Sequence, residues 1–496
     1  IYFYKKAIDI KPDYFEVYNN LGYAFQNIGK FDDAIKVYEQ ALKINPYKYD
    51  ILGNLGIVYK YQGNIDEAIH CYQKSVDINP NFAEGLCNLG NCFQEKNDLN
   101  FAIECYKKAI NINPNHPDFF NNLGNCLKDQ NNLDEAIKAY KQALVINPNY
   151  ADAYNNIGVS YLNRGELGAA IDSYKHALKI NPNFAEVLNN LGIALMNQGD
   201  LDEAILNYEK ALEIKPDYEE ANFNLATILY KVGQFDKSAE LFKKDRSAKS
   251  QNALLQCQFA LNNQSSFYNQ LDDLINQGNN NAVIGSYVSR SNIRYGMQRT
   301  NPFCNEPLEY VLKYDLSSEC DFQKDFVKGA FDILNIEGVE ARDHSLLING
   351  SLTAGNIFKQ VGDVTGKIQN VIRDQIEKYR LYFKNSKEGL ITSWPASYEI
   401  YGWLVSMKSG GELAPHMHEQ GWLSGSIYIN VPPKIHKDSG NLVVSLDKDE
   451  HKEKYSKSID VITGSICLFP SSLLHYTIPF EGTEDRVVLA FDVVPL

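Results

Sequence analysis

The chain has 496 residues, 22% of them charged, and a formal net charge of −14. That length holds at least two domains, and the acidic balance argues against a nucleic-acid partner, whose phosphates would be repelled. No run of about 18 apolar residues occurs, so no membrane span is expected, and the nine scattered cysteines, odd in number and without a CxxC pair, read as buried reduced thiols of a cytoplasmic protein.

Residues 1–12 carry Tyr4 and Ala7 in the register of the repeats that follow, but only as the second helix of a unit, and the array is expected to extend further upstream. Pro12, Pro46, Pro80, Pro114, Pro148, Pro182 and Pro216 stand 34 residues apart. A fixed period of this size marks a solenoid. A Leu-Gly or Ile-Gly pair recurs in the same register from Leu21-Gly22 to Leu191-Gly192. Ala34 to Ala204 and Tyr38 to Tyr208 recur with it. Gly and Ala let two helices approach, Tyr fills the gap between hairpins, and Pro stops the second helix. Six complete copies over 13–216 closely resemble the tetratricopeptide repeat. A degenerate copy follows at 217–250, where Ala226, Ser238 and Ser250 replace Gly, Ala and Pro. The array is thus read as 1–250, with a weaker helical pair at 251–278 inside a helical cap or linker at 251–300.

Asn20, Asn54, Asn88, Asn122, Asn156, Asn190 and Asn224 also keep the period, one per first helix. First helices line the concave face of such a superhelix, and a side-chain amide both donates and accepts. The ladder could therefore grip the backbone of an extended protein or peptide, or bond one repeat to the next. It resembles the asparagine ladder in the repeats of O-linked N-acetylglucosamine transferase, which implies peptide binding. The neighbouring Asn19, Asn121, Asn155 and Asn189 carry less weight in a generally Asn-rich chain.

After about residue 300 the period is lost. Residues 322–335, with Phe322, Phe326, Phe331 and Leu334, and 365–384, with Ile368, Val371, Ile372 and Ile376, read as amphipathic helices. Strands are expected near 397–408, 412–418, 422–431, 441–446, 458–462, 465–469, 474–479 and 486–494. The whole is a multidomain α + β chain: an α-solenoid, then a jelly-roll, or double-stranded β-helix, domain over 301–496 with flanking helices and core strands in 397–496.

Five of the nine histidines lie between 416 and 475. His416 and His418, two apart on one strand, point the same way. His475 stands on a later strand, and Arg486 opens the last apolar strand. The segments 415–432 (PHMHEQGWLSGSIYINVP), 468–475 (LFPSSLLH) and 486–495 (RVVLAFDVVP) resemble the 2-oxoglutarate–iron(II) oxygenase domain found in bacterial proteins behind tetratricopeptide arrays. The resemblance implies Fe(II) held by His416, His418 and His475, and 2-oxoglutarate held through its distal carboxylate by Arg486. It implies dioxygen as co-reactant and hydroxylation of a protein or peptide recruited by the array. The family's usual second ligand is Asp or Glu; here it is His418, and Glu419 could replace it only through a bulge. Zinc, or an inert site, is then also open. Tyr428 and Ser424 share a strand face and either line the cosubstrate pocket or pack the barrel. Trp403 and Trp422 read as core, and His436 and His451 as solvated loop residues. The alternative function is a non-catalytic scaffold for protein–protein interaction with an inactive or structural metal-binding barrel.

Overall fold

The computed structural model describes all residues except 318–320, 335–340, 343–345, 354, 360–362 and 448–453. Cys320 and His451 lie outside the described residues. The chain forms two compact units, Ile1–Gly233 and Gln234–Leu496.

In the first unit the 34-residue period becomes a series of helix hairpins, from Phe15–Asn27 with Phe31–Ile44 to Ala185–Gln198 with Leu201–Ile214. Each hairpin turns through one residue with positive φ. That residue is Gly29, Gly63, Gly165, Gly199 or Gly233, and Asn97 or Asn131 in the two copies without the glycine. Gly and Asn are the residues that reach this left-handed conformation at least cost.

The repeated tyrosines are sealed within their own hairpins rather than between hairpins, as the sequence suggests. Tyr38, Tyr72, Tyr106, Tyr140, Tyr174 and Tyr208 are fully buried. Each ring covers the glycine of the preceding helix so closely that a Cβ on Gly124 would lie 2.5 Å from Tyr140 Cε1. The phenol then needs a partner in that dry position. Tyr106 and Tyr140 donate to Asn91 and Asn125 at 2.8 Å.

The ladder asparagines bond between repeats. Asn156, Asn190 and Asn224 donate from Nδ2 to Asn121, Asn155 and Asn189 of the preceding repeat at 2.9, 3.0 and 3.0 Å, and Asn54 donates to Asn19 at 3.1 Å. The discounted neighbours are therefore the acceptors of a second, parallel row. Where that row carries Cys87, Asn122 donates to its sulfur instead. Where it carries Gly53, Asn88 makes no such bond among the described residues.

The second unit opens with helices Phe235–Lys244, Ala248–Ala260, Gln264–Asn276 and Ala282–Tyr295. The last of these has no counterpart among the expected elements. The remainder is a curled antiparallel sheet with flanking helices, the arrangement of a jelly roll. Its strands are β1 (Leu312–Asp315), β2 (Ala341–Arg342), β3 (Leu347–Thr353), β4 (Tyr398–His416), β5 (Leu423–Asn430), β6 (Leu442–Ser445), β7 (Ser456–Ile459), β8 (Ser465–Pro470), β9 (Leu474–Thr477) and β10 (Arg486–Pro495). The main path runs β1-β8-β5-β10-β4-β9-β6-β7, with β3 joining β2 to β4.

The expected strands at 397–408 and 412–418 are one strand, β4. It bends at Gly410, whose φ is +74°, and changes partner there. Before the bend β4 pairs with β10; after it, His416 pairs with His475 on β9. Strands β1–β3 were not legible in the sequence. The expected helix at 322–335 is a π-helical turn, Gln323–Lys328, followed by an α-helical turn, Gly329–Leu334. The π turn rotates its face, so Phe322, Phe326, Ala330 and Ile333 are buried while Phe331 is exposed. Helix Asp363–Tyr382 buries Ile368, Ile372 and Ile376 as its spacing predicts. No helix among the described residues is long and apolar enough to cross a membrane.

The glycine–tyrosine contact makes opposite predictions for two helical glycines. Gly168 has open space where a Cβ would go. Gly168→Ala should stabilise the protein by about 0.5–1 kcal/mol through helix propensity. Gly124→Ala must displace the Tyr140 ring and should destabilise by about 1–3 kcal/mol. Thermal or urea unfolding of the two variants reads the difference.

Candidate metal centre

The bend in β4 determines where the histidines go. His416 is the last residue of β4 and His475 its cross-strand partner on β9. His418 lies two residues past the strand end, in the extended segment before the turn at Glu419-Gln420. The three rings converge, with ligand atoms all within 4.8 Å of one another.

The outer nitrogens fix the inner ones. His416 Nδ1 is 2.8 Å from the Ala414 carbonyl oxygen, and His418 Nδ1 is 2.7 Å from Asp492 Oδ1. Both oxygens can only accept, so each Nδ1 carries the proton and each Nε2 presents a lone pair. The two Nε2 atoms face one another at 3.2 Å. Two lone pairs at that separation call for a shared cation. A metal ion bonded to both at about 2.1 Å would hold them roughly 3.0–3.4 Å apart. The donor set therefore fits a metal ion. His475 is buried, and burial together with His416 and His418 pushes its pKa well below the ordinary imidazole range. Burial thus favours the neutral imidazole, the form that could ligate a metal.

Asp492 was not identified from the sequence. It lies on β10, buried, and also accepts from Ser424 Oγ at 2.7 Å. Ser424 is within 2.8 Å of Ser471 Oγ. This carboxylate–histidine arrangement orients a ligating imidazole and raises its basicity. Ser424 thus stands behind His418 and does not line the inner cavity. Ser426, one step along the same strand face, does. Glu419 is exposed and outside the histidine cluster; it accepts from Gln256 Nε2 at 2.7 Å. The signal for Asp492 was available: it is the one acid within the apolar run 487–494, at the same alternation as Arg486.

The inner cavity runs from His416, His418 and His475 past Met407, Phe469 and Val488 to Ser426, Tyr428 and Arg486. Arg486 is 1% exposed, no carboxylate pairs its guanidinium among the described residues, and the Tyr428 hydroxyl is the one side chain that offers it a hydrogen bond. Its nearest polar company is Tyr428, whose ring centroid is 5.2 Å away. Burial lowers the guanidinium pKa and raises that of the Tyr428 hydroxyl. The first remains a cation, and the second remains a protonated donor. Trp422 is core, its indole N–H donating to the Leu390 carbonyl at 2.8 Å. Trp403 is not: it lies edge-on to His418 at 5.2 Å and lines both this cavity and a wider cleft outside it. His436 is exposed in a loop.

Residues 15–48 match the tetratricopeptide repeat family. Residues 47–258 match the family described as "Cilia and flagella-associated protein 70 C-terminal domain". Residues 401–492, which hold all three histidines, Arg486 and Asp492, match the family described as "Putative 2OG-Fe(II) oxygenase". The chain carries a tetratricopeptide repeat array and, toward its C-terminus, a domain that matches that oxygenase family. Among solved structures it is similar to MamA, with 31% identity over 33% of this chain and 95% of that one and a TM-score of 0.31. It is also similar to YrrB, described as a tetratricopeptide repeat protein with an unusual peptide-binding site, with 21% identity over 37% and 95% and a TM-score of 0.32. A tetratricopeptide repeat protein from Parabacteroides merdae shares 18% identity over 49% and 98%, with a TM-score of 0.42. No curated protein matches the chain.

If Asp492 orients His418, Asp492→Asn should weaken divalent-metal binding about 10–100-fold. His436→Ala should leave it unchanged. Competition titration with a chromophoric chelator measures both. The depressed His475 pKa also has a stability consequence. Below an unfolded-state pKa of about 6.5, the unfolded chain binds a proton that the folded one resists. The metal-free protein should therefore hold its full stability above that pH and lose it as pH falls. Unfolding midpoints between pH 5 and 8 should show this decline, and His475→Gln should flatten it.

Proposed function

We propose that the C-terminal domain is an iron(II)- and 2-oxoglutarate-dependent dioxygenase acting on a protein or peptide that the repeat array recruits. Arg486 carries this reading: a buried guanidinium with no carboxylate partner among the described residues, at one end of a cavity whose other end is three convergent imidazoles. An uncompensated buried charge costs several kcal/mol and is relieved by an anion of matching geometry. A dicarboxylate that reaches from a metal to Arg486 satisfies both ends.

His416, His418 and His475 would hold iron, for which imidazole is a suitable ligand. Arg486 would take the distal carboxylate as a bidentate pair, with the Tyr428 hydroxyl as a further donor. Bound together, iron(II) and 2-oxoglutarate would activate dioxygen, the oxidant: one oxygen atom would enter the substrate C–H bond and the other succinate, with carbon dioxide released and 2-oxoglutarate supplying two electrons. Asp492 keeps His418 in the tautomer that ligates. Val405, Met407, Leu413 and Val488 give the cavity apolar walls, which strengthen every charge interaction inside it. The eight free, buried cysteines among the described residues support a cytoplasmic setting.

The recruiting surface is the concave face with its asparagine ladder. Most ladder nitrogens are spent on the neighbouring repeat, so what they offer a peptide is the acceptor Oδ1. Asn88 keeps both functions available and is the clearest single test. Asn88→Ala should weaken partner binding with little change in melting. Asn156→Ala should lower stability by about 0.5–1.5 kcal/mol, the worth of one neutral hydrogen bond. Unchanged partner affinity in Asn88→Ala would leave the ladder a purely structural device.

The enzymatic reading is tested by anaerobic addition of iron(II) and then 2-oxoglutarate, which should develop the visible charge-transfer band of the chelate. Arg486→Ala should retain bound metal but lose 2-oxoglutarate affinity by at least about 30-fold, the effect of removing one partner of a buried charge pair. Unaltered affinity would reject the assignment, and a protein that never forms the chelate would be a scaffold with an inert barrel.

A further inference from the structure

The outer cleft that opens onto His416 and His418 has a polarity of its own. β4 and β10 run side by side, and alternate positions of the pair face the two cavities. In order, the cross-strand partners are Met407–Arg486, Val405–Val488, Trp403–Ala490, Tyr401–Asp492 and Glu399–Val494. One continuous floor therefore begins at a buried cation and ends at an acid. Its inner half belongs to the cavity of Arg486. Its outer half, with Trp403, Tyr401 and Glu399, belongs to the cleft of about 750 Å³.

The cleft combines three features. Its carboxylates are Glu399, Glu419 and Asp492, against Lys249 as the single basic residue of the lining. Asp492 is taken by His418. Glu399 is bridged at 3.0 Å by Lys359, whose side chain is 67% exposed, so that pair is weak and readily exchanged. Glu419 is held only by the neutral amide of Gln256, and no basic group neutralises it among the described residues. Tyr401 and Trp403 form a tilted aromatic pair, centroids 6.0 Å apart, following Glu399 on the same face of β4, with Trp403 edge-on to His418. Leu346, Leu347, Leu352, Val405 and Leu413 give the cleft its apolar lining.

We propose that this cleft receives a lysine or arginine side chain of the peptide substrate. The inference rests on the dioxygenase reading and adds the substrate class to it. The cationic end sits over Tyr401 and Trp403, attracted by the ring faces, and is charge-paired to Glu399 and Glu419. The aliphatic stem lies against the leucines and Val405, as such stems do when only the head is polar. One of its methylenes is then presented to the face of the site bounded by His416 and His418. The reaction balances as one oxygen atom of dioxygen entering that C–H bond to give an alcohol. The other oxygen enters the carboxylate of succinate, and the decarboxylation of 2-oxoglutarate supplies the electron pair.

The test uses the full chain with iron(II), 2-oxoglutarate and oxygen, offered otherwise identical peptides centred on lysine, arginine, norleucine or glutamate. Succinate release without peptide is measured first, and hydroxylation is read as a 16-Da gain. Lysine or arginine peptides should be turned over at least about tenfold more efficiently than the norleucine peptide, the scale of a desolvated cation–aromatic contact with its charge partner. In the double variant Glu399→Gln/Glu419→Gln that preference should collapse, mainly through KM. The ratio of lysine to norleucine turnover within the same variant is unaffected by a general loss of folded protein. Equal turnover of all peptides, or a preference for glutamate, overturns the inference while leaving the dioxygenase reading in place. No succinate under any condition overturns the dioxygenase reading itself, and this inference with it.

Discussion

The C-terminal domain depends on one strand pairing. β10 and the first half of β4 are in register at ten successive positions, from Arg486–Met407 to Pro495–Tyr398. That ladder sets the distance between the unpaired guanidinium and the carboxylate that orients His418, because both belong to the same face of β10. It also determines where β4 is when it reaches Gly410 and bends away. The bend delivers His416 to β9 and so to His475. A shift of one residue in the β4–β10 register would turn Arg486 and Asp492 out of the site together.

The histidine triad shows how a charge can be moved outward by one bond. A site with two imidazoles and a carboxylate places one negative charge directly on the metal. With His416, His418 and His475 as ligands the set would be neutral, and the carboxylate stands behind it, on Asp492 at 2.7 Å from His418 Nδ1. The Asp492 charge is further stabilised by Ser424, itself tied to Ser471. An imidazole hydrogen-bonded to a carboxylate carries more electron density on its far nitrogen than a free one. The net charge felt at the metal position is thus partly restored without a carboxylate ligand.

Much of this was legible in the chain because periodicity and spacing are local. The 34-residue register specifies hairpins, and the histidine and arginine spacing specifies a site, before any coordinates. What was not legible depends on partners distant in sequence. β1 and β2 have too few residues to show alternation, and the seven of β3 bury only its two ends; the three exist because β8, β3 and β4 offer them edges. The π turn at Gln323–Lys328 inserts an extra residue per turn, which no 3.6-residue reading anticipates, and so Phe331 was placed on the wrong face. Trp403 was read as core because an aromatic in a strand usually is. It is a cavity wall only because β4 ends beside it at His416. The double asparagine row was half seen: one row was read as gripping a peptide or bonding repeat to repeat and the other as composition, while geometry makes them donor and acceptor of the same bond.

The two units treat buried polar groups differently, and the difference separates structure from chemistry. In the repeats a missing partner is a small defect. Tyr174 and Tyr208 have buried hydroxyls without partners, since Val159 and Ile193 stand where Asn91 and Asn125 serve the earlier copies. A neutral hydroxyl left so costs about 1–3 kcal/mol, which a long array with many other contacts absorbs. A guanidinium is another matter, because its desolvation cost far exceeds that of a hydroxyl and it cannot shed its proton to escape. A buried Arg486 with the Tyr428 hydroxyl beside it and no carboxylate among the described residues is therefore not a packing lapse of the same kind. Substituting Met would remove the charge at similar volume, and the empty domain should melt at or above the temperature of the natural sequence. A lower melting temperature would mean that the cation is satisfied within the fold. A higher one, with 2-oxoglutarate binding abolished, would identify Arg486 as stability given up for a ligand.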